Sequence, residues 1–433
     1  MNYKRMLERY IFPNILAMVG TSCYILADTF FISMAKGANG ITALNLVLPI
    51  YGLIYAIGSM IGIGAATRYT LTKAQGGKDA DAFFSNALFW DLILSVIFIG
   101  VGYFYAEEIL RALGADDTIL ALGEPYLKII IFFTPFFLMN YAFTAFTRND
   151  GAPKLAMAAT LISGLFNIVF DYVLMFPCQL GMAGAALATA ISPIVSIIIC
   201  LFFHFLTKKN TIVFARRLPS FRRLLTSCSL GVAPFVGEIS SGITTLIFNY
   251  LLLALGGNLA VAAYGVLANI ALVATGIFNG VSQGLQPAVS ALHGLQDAKV
   301  EKELYGHARR IAVAIAVLVV AVVLVFAPGL TDIFNSEGSE ALRDMAVPAL
   351  RIYFVGFLLA AVNIVKAGFY SATGQARASA VIAISRGIVA ITLMAVLLSR
   401  FLGITGVWLA FPAAELVTWV ISMKVKKQSF TIR

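Results

Sequence analysis

Long uninterrupted apolar runs constrain this chain more than any other feature of its sequence. We identify twelve, in two groups of six, and each is close to or above the roughly 20 residues that a helix needs to cross a hydrocarbon layer about 30 Å thick. Strands of a membrane barrel would alternate apolar and polar residues, which these runs do not. The sequence therefore predicts an all-α polytopic membrane protein. The twelve predicted spans cover residues 11–34, 41–70, 83–104, 122–146, 154–175, 181–206, 226–250, 260–292, 309–327, 347–370, 378–399 and 403–423.

The low charge content excludes a soluble alternative. Only 12% of the 433 residues are charged, against about a quarter in soluble domains, and 60% are hydrophobic. The 33 Phe and 16 Tyr also exclude a disordered chain. No P-loop, paired-histidine metal motif or nucleophile elbow is found, so we expect a protein that is not an enzyme and carries no cofactor.

The distribution of basic residues predicts the topology. If the chain starts on the cytoplasmic side and changes side at every span, 23 of the 31 Lys and Arg residues lie inside, four lie outside and four lie within spans. This is the bias expected of a cytoplasmic membrane protein with both termini inside. Because topology accounts for the net charge of +10, nucleic acid is not expected as a partner.

The two groups of six spans repeat one another at a displacement of about 220 residues. Leu180-Gly181-Met182-Ala183-Gly184 precedes span 6, and Leu402-Gly403-Ile404-Thr405-Gly406 precedes span 12. Six spans are an even number, so the two halves enter the membrane from the same side. We predict two pseudo-symmetric six-helix lobes, residues 1–207 and 226–433, joined by a cytoplasmic linker at 208–225. Two such lobes around a cleft are a transporter architecture.

Charged residues within the spans differ between the lobes. The second lobe has Glu238 and Glu415 together with Lys366 and Arg386, so it can form internal ion pairs. The first lobe has three acids and no base at comparable depth. An ionised carboxylate at the bilayer centre costs about 2.5–3.5 kcal/mol even on the most lenient scale. The first lobe is therefore expected to bind a cation from outside the chain. Its three acids are Asp28, Asp91 and Asp171.

Residue spacing indicates where that cation binds. Tyr24 and Asp28 are four residues apart and share a helix face, as do Asn167 and Asp171, while Thr189 lies in the next span. These oxygen ligands suit Na⁺, and two carboxylates in one pocket also suit a proton. The alternative is that the polar residues only hydrogen-bond neighbouring helices; for Tyr24, Asn167 and Thr189 both interpretations stay open. For Asp91 we favour helix packing.

Other polar or helix-bending residues permit two interpretations each. Pro13 removes a backbone hydrogen bond, which predicts either a mobile bend or a static kink in span 1. In the second lobe, four polar side chains could line a cavity or cross-link helices. They are Glu238, Asn249, Gln283 and Gln286. We also expect an ion pair between Glu238 and Lys366.

Three segments resemble signatures of the multidrug and toxic compound extrusion (MATE) family. They are Ala27-Asp28-Thr29-Phe30-Phe31-Ile32, Arg148-Asn149-Asp150-Gly151-Ala152-Pro153-Lys154, and Gly280-Val281-Ser282-Gln283-Gly284-Leu285-Gln286-Pro287. The resemblance covers the full chain. It implies a V-shaped pair of six-helix bundles, expected as a monomer, that exports drug-like and often cationic organic molecules in exchange for Na⁺ or H⁺.

The resemblance also implies site residues. In prokaryotic members with a first-lobe ion site, the pattern maps onto Asp28, Asn167, Asp171 and Thr189, with Tyr24 beside them and the bend at Pro13. Another branch uses acids of spans 7 and 10. Glu238 matches the first of these, but span 10 carries Lys366 and no acid. The alternative function is a flippase for lipid-linked sugars, which would need a cationic cavity.

Overall fold

A computed structural model describes residues 3–77, 79–206, 218–295, 298–335 and 338–425, and in these ranges the regular structure is entirely helical. Fourteen α-helices and one short π-helical segment follow one another. They are α1 Tyr3–Ala74, α2 Ala82–Phe104, α3 Ala106–Ala112, α4 Asp117–Phe132, α5 Thr134–Asn149, α6 Pro153–Met175, α7 Gly181–Leu206, α8 Phe221–Leu230, α9 Val232–Gly294, α10 Ala298–Phe334, α11 Glu340–Phe354, α12 Phe357–Ala372, α13 Ala376–Ile384, the π-helical segment Ser385–Val389, and α14 Ala390–Lys424.

Three of the four longest helices are interrupted at a glycine. A straight helix of 63 residues, the length of α9, would extend about 95 Å, some three times the hydrocarbon thickness. At Gly257 the backbone leaves helical dihedrals (φ 65°, ψ −159°), and the rings of Phe248 and Tyr264 on either side lie only 5.2 Å apart. Gly37 in α1 and Gly403 in α14 have similar dihedrals. Only glycine adopts this backbone region without strain.

Two further spans are bent. The axes of α4 and α5 differ by 49°, and those of α11 and α12 by 45°, at breaks of four residues or fewer. Counting each bent pair as one span, and counting the two sides of Gly257 and of Gly403 separately, the described residues contain the twelve predicted transmembrane helices. The sequence missed the two bends because apolar character continues through both.

The chain forms two compact units. One contains residues 1–15 and 236–433, and the other contains residues 16–235. We call the unit of residues 1–15 and 236–433 the C-unit, and that of residues 16–235 the N-unit. The first division lies two residues after Pro13 and the second lies one residue after Pro234. The start of α1 thus belongs to the C-unit, and α8 with the start of α9 belongs to the N-unit. Of the predicted linker 208–225, residues 208–217 lie outside the described residues, and Phe221 already begins α8.

Positive-φ glycines repeat at the displacement predicted from the sequence. Gly37, Gly114, Gly151 and Gly181 of the first half correspond to Gly257, Gly338, Gly374 and Gly403 of the second, at displacements of 220 to 224 residues. The bend at Phe133 likewise corresponds to the bend at Val355. The duplication therefore extends to the backbone conformation of the turns.

Candidate cation site

Residues from four helices of the N-unit form a connected polar cluster. Asn167 and Asp171 on α6 are fully buried, and Thr189 on α7 is 5% exposed. Hydrogen bonding assigns the amide orientation of Asn167. Its oxygen accepts from the hydroxyl (3.2 Å) and backbone N–H (3.3 Å) of Thr189, while its nitrogen donates to Asp171 Oδ2 (3.2 Å).

Tyr126 on α4 extends this cluster, and the sequence analysis did not identify it. Its side chain lies beside Thr189 and within electrostatic range of Asp28 and Asp171. Thr189 donates to Asn167 and Asn167 donates to Asp171, so these three residues form a chain of donors that ends on Asp171.

Asp28 on α1 faces the same cluster. It lies within electrostatic range of Asp171. Within the described residues, Asp28 Oδ1 and Asp171 Oδ1 are both buried and have no hydrogen-bond partner. Asp28 is half-buried and Asp171 is fully buried, so ionising both carboxylates without a cation would cost solvation and add like-charge repulsion. The unpartnered oxygens are where a shared proton or a monovalent cation would bind.

Tyrosine rings border the two carboxylates. Tyr24 packs on α6 at Gly164, where an added Cβ would lie 3.1 Å from the ring. Tyr51 on α1 lies within electrostatic range of Asp28 and Tyr24, and its hydroxyl donates to that of Tyr55 (2.6 Å). Tyr51 and Tyr55 were also missed, although their spacing of four residues placed them on one helix face. Pro13 is buried within α1, which keeps helical dihedrals there, so a bend at Pro13 stays a prediction.

In the C-unit one buried carboxylate is paired with a guanidinium. Arg386, in the π-helical segment, donates from Nε (3.0 Å) and Nη2 (2.7 Å) to Glu415 Oε1. Asn363 donates to Glu415 Oε2 (2.8 Å) and to its backbone carbonyl (2.9 Å). Glu415 is 1% exposed, so its charge is compensated inside the protein. The predicted internal neutralisation is present for this pair.

The expected ion pair between Glu238 and Lys366 is wrong. Lys366 Nζ instead donates to the backbone carbonyl (2.6 Å) and hydroxyl (3.2 Å) of Ser422, and no ion pair joins Lys366 to Glu238 in the part of the chain that is described. Glu238 is exposed, Asn249 and Gln283 are half-buried, and Gln286 is 3% exposed with Oε1 unpartnered among the described residues. A second-lobe cavity formed by these four side chains stays a prediction.

Comparison with known proteins identifies the family. The MatE family model matches two segments, residues 13–173 and 235–414, which start 222 residues apart and together cover more than three quarters of the chain. The chain belongs to the MatE family. The multidrug export protein MepA of Staphylococcus saprophyticus is 30% identical over 422 residues, covering 95% of this chain and 91% of that protein. MepA of Staphylococcus aureus MRSA252 is 28% identical over 432 residues, covering 98% and 93%.

Solved structures agree on the fold. An outward-facing multidrug resistance MATE family transporter of the MOP superfamily superposes with a TM-score of 0.92 at 22% identity, covering 98% of this chain and 95% of that one. A MOP superfamily transporter from Pyrococcus furiosus, described as having a binding pocket of reverse polarity, gives 0.91 at 22% identity with the same coverage. The MatE fold thus holds along essentially the full chain.

Proposed function

We propose that this MatE protein exports drug-like, often cationic organic molecules across the cytoplasmic membrane in exchange for Na⁺ or H⁺. The supporting observation is the pair of unpartnered carboxylate oxygens of Asp28 and Asp171 in an otherwise hydrogen-bonded, buried cluster. The multidrug export relatives support the substrate class. The basic residues support a topology with both termini cytoplasmic.

Coupling requires only that the ion and the substrate favour different conformations. A cation at Asp28 and Asp171 would stabilise the conformation that holds the two carboxylates together, and an exported molecule would stabilise another. One charge moving through 100 mV supplies about 2.3 kcal/mol. That energy sustains a substrate gradient of about fifty-fold. If the exchange moves no net charge, the membrane potential contributes nothing and the gradient of the coupling ion alone drives export.

The flippase alternative is not favoured. A diphosphate headgroup needs uncommitted cations at mid-depth, and the two candidates predicted from the sequence already have partners. Arg386 is paired with Glu415, and Lys366 is hydrogen-bonded to Ser422.

Ethidium efflux from everted vesicles tests the proposal and identifies the ion. An imposed Na⁺ gradient and an imposed pH gradient are compared for the wild type and for Asp28→Asn. We expect one gradient to drive transport in the wild type and neither to do so in Asp28→Asn, which should still insert and purify as a folded protein. Asp79→Asn, which removes an exposed carboxylate, is the matched control and should transport normally. Undiminished transport by Asp28→Asn would refute the assigned role.

A further inference from the structure

Asp91 is a third buried carboxylate of the N-unit, and the cation site does not use it. It lies on α2 and is 0% exposed. Neither of its carboxylate oxygens has a hydrogen-bond partner among the described residues. Ser95, one turn further along α2, donates to the backbone carbonyl of Asp91 (2.6 Å) and not to its carboxylate. A packing role would leave these oxygens hydrogen-bonded, so the interpretation favoured from the sequence does not account for them.

The charged groups around Asp91 supply no counter-charge. Asp91 interacts electrostatically with the half-buried thiol of Cys228 on α8. At the start of α2, Asp79 lies 4.0 Å from Arg223 of α8. At its end, Lys128 of α4 lies over Tyr103, twelve residues or about 18 Å beyond Asp91. Within the described ranges no ion pair joins Asp91 to any basic residue, including those on helices packed against α2, such as Arg68 and Lys73 on α1, Arg111 on α3, Arg148 on α5 and Arg222 on α8.

The helix α8 packs on the part of α2 that carries Asp91. The backbone N–H of Ser220 donates to Asn86 Oδ1 on α2 (2.7 Å), and the Phe221 ring lies 5.6 Å from that of Trp90, the neighbour of Asp91. Further along α8, Ser227 meets Gly64 of α1 so closely that a Cβ at Gly64 would overlap its carbonyl. Because Cys228 of α8 also lies within electrostatic range of Asp91, α8 is one of the helices that cover this carboxylate.

We propose that Asp91 is a further proton-binding site, which holds a proton while α8 is packed on α2 and releases it to water when that contact opens. A buried carboxylate with no hydrogen bond and no counter-charge is stable only when it is neutral. In water an aspartic acid has a pKa of about 3.9, so at neutral pH the opened state is ionised. The packed state therefore binds one more proton than the opened state, and rising pH favours opening. This inference does not depend on the proposed export, since it concerns the resting protein.

Hydrogen exchange of the α8 amides in the purified full-length protein tests this linkage. The opening constant of α8 is the observed exchange rate divided by the intrinsic exchange rate. It should rise about tenfold per pH unit, or a hundredfold from pH 6 to pH 8. Asp91→Asn keeps the shape and neutrality of the site and should abolish this dependence. Asp79→Asn, on the segment that leads into α2, should retain the pH dependence.

Two hydrogen-exchange results in buffer of fixed composition would overturn the proposal. One is a wild-type opening constant that does not change with pH, and the other is a dependence that persists in Asp91→Asn. Replacing Na⁺ by choline distinguishes the ligands, because a dependence that needs Na⁺ would mean that Asp91 binds a metal cation and not a proton. Infrared spectra give a second measurement. The wild type minus Asp91→Asn difference at pH 7 should show a protonated carboxyl band, and an ionised carboxylate band there would equally refute the proposal.

Discussion

The ion pair between Arg386 and Glu415 gives a prediction that can be worked out from the structure. Replacing Arg386 by Met removes the donors at 3.0 and 2.7 Å and leaves a carboxylate that is 1% exposed with Asn363 as its remaining donor. Breaking a buried pair in this way costs about 3–5 kcal/mol. Removing both charges in Arg386→Met/Glu415→Gln should recover most of that cost, because no buried charge is left without a partner.

Thermal unfolding in detergent measures the effect. At about 2.1 cal/mol/K for each residue, an unfolding entropy of about 0.9 kcal/mol/K for 433 residues converts 3–5 kcal/mol into a fall in Tm of about 3–5 °C. Arg351→Met is the matched control, since Arg351 is exposed and makes one hydrogen bond to the Leu324 carbonyl; it should lower Tm by less than about 1 °C. Additive effects of the two single substitutions would refute the reasoning. The double variant should also keep ethidium efflux, because both carboxylate oxygens of Glu415 already have donors inside the C-unit and the proposed cation site lies in the N-unit.

Two more substitutions test the N-unit cluster and the glycine reversals. Thr189→Val interrupts the donor chain from Thr189 through Asn167 to Asp171 and should weaken coupling-ion affinity about 5–30-fold, read as a shifted half-saturating ion concentration for ethidium efflux. Thr160→Val, whose hydroxyl bonds only its own helix at Ala156, should not shift it. Gly403→Ala forces alanine into φ 57°, ψ −135° and should destabilise the folded protein by about 1–3 kcal/mol. Gly100→Ala, within α2 and with open space around it, should stabilise by about 0.5–1 kcal/mol in the same unfolding assay.

Much of the fold was predictable because the membrane imposes a simple rule on the sequence. Apolar runs of about 20 residues have to be helices, and loop charges determine their direction. The breaks within spans were not predictable. Phe133 and Val355 lie inside apolar runs, and whether a helix bends there depends on packing against its neighbours, which one sequence does not show.

The charged residues of the candidate site were predictable because a charge within a membrane is costly. Its uncharged polar residues were not, because such residues are common in transmembrane helices. Asp28 and Asp171 were identified from the cost of an unpaired acid, and the structure places both in one cluster with Asn167 and Thr189. Tyr126 was missed because a tyrosine in a span is as compatible with packing as with hydrogen bonding. The prediction of a Glu238–Lys366 ion pair was wrong because opposite charges alone do not determine the distance between two residues. Lys366 Nζ donates instead to the Ser422 carbonyl.

The two halves share a backbone but divide the charged residues between them. At the 222-residue displacement of Gly181 and Gly403, Arg386 corresponds to Gly164 and Glu415 corresponds to Pro193, so the first half has no equivalent of this ion pair. Conversely, Asp171 corresponds to Leu393 and Thr189 to Phe411. Gly164 is where the Tyr24 ring packs beside the cation site, which an arginine there would prevent. Duplication therefore supplied the scaffold twice. An internal guanidinium neutralises the buried carboxylate of one half, whereas in the other half the proposed function assigns this role to a cation from outside.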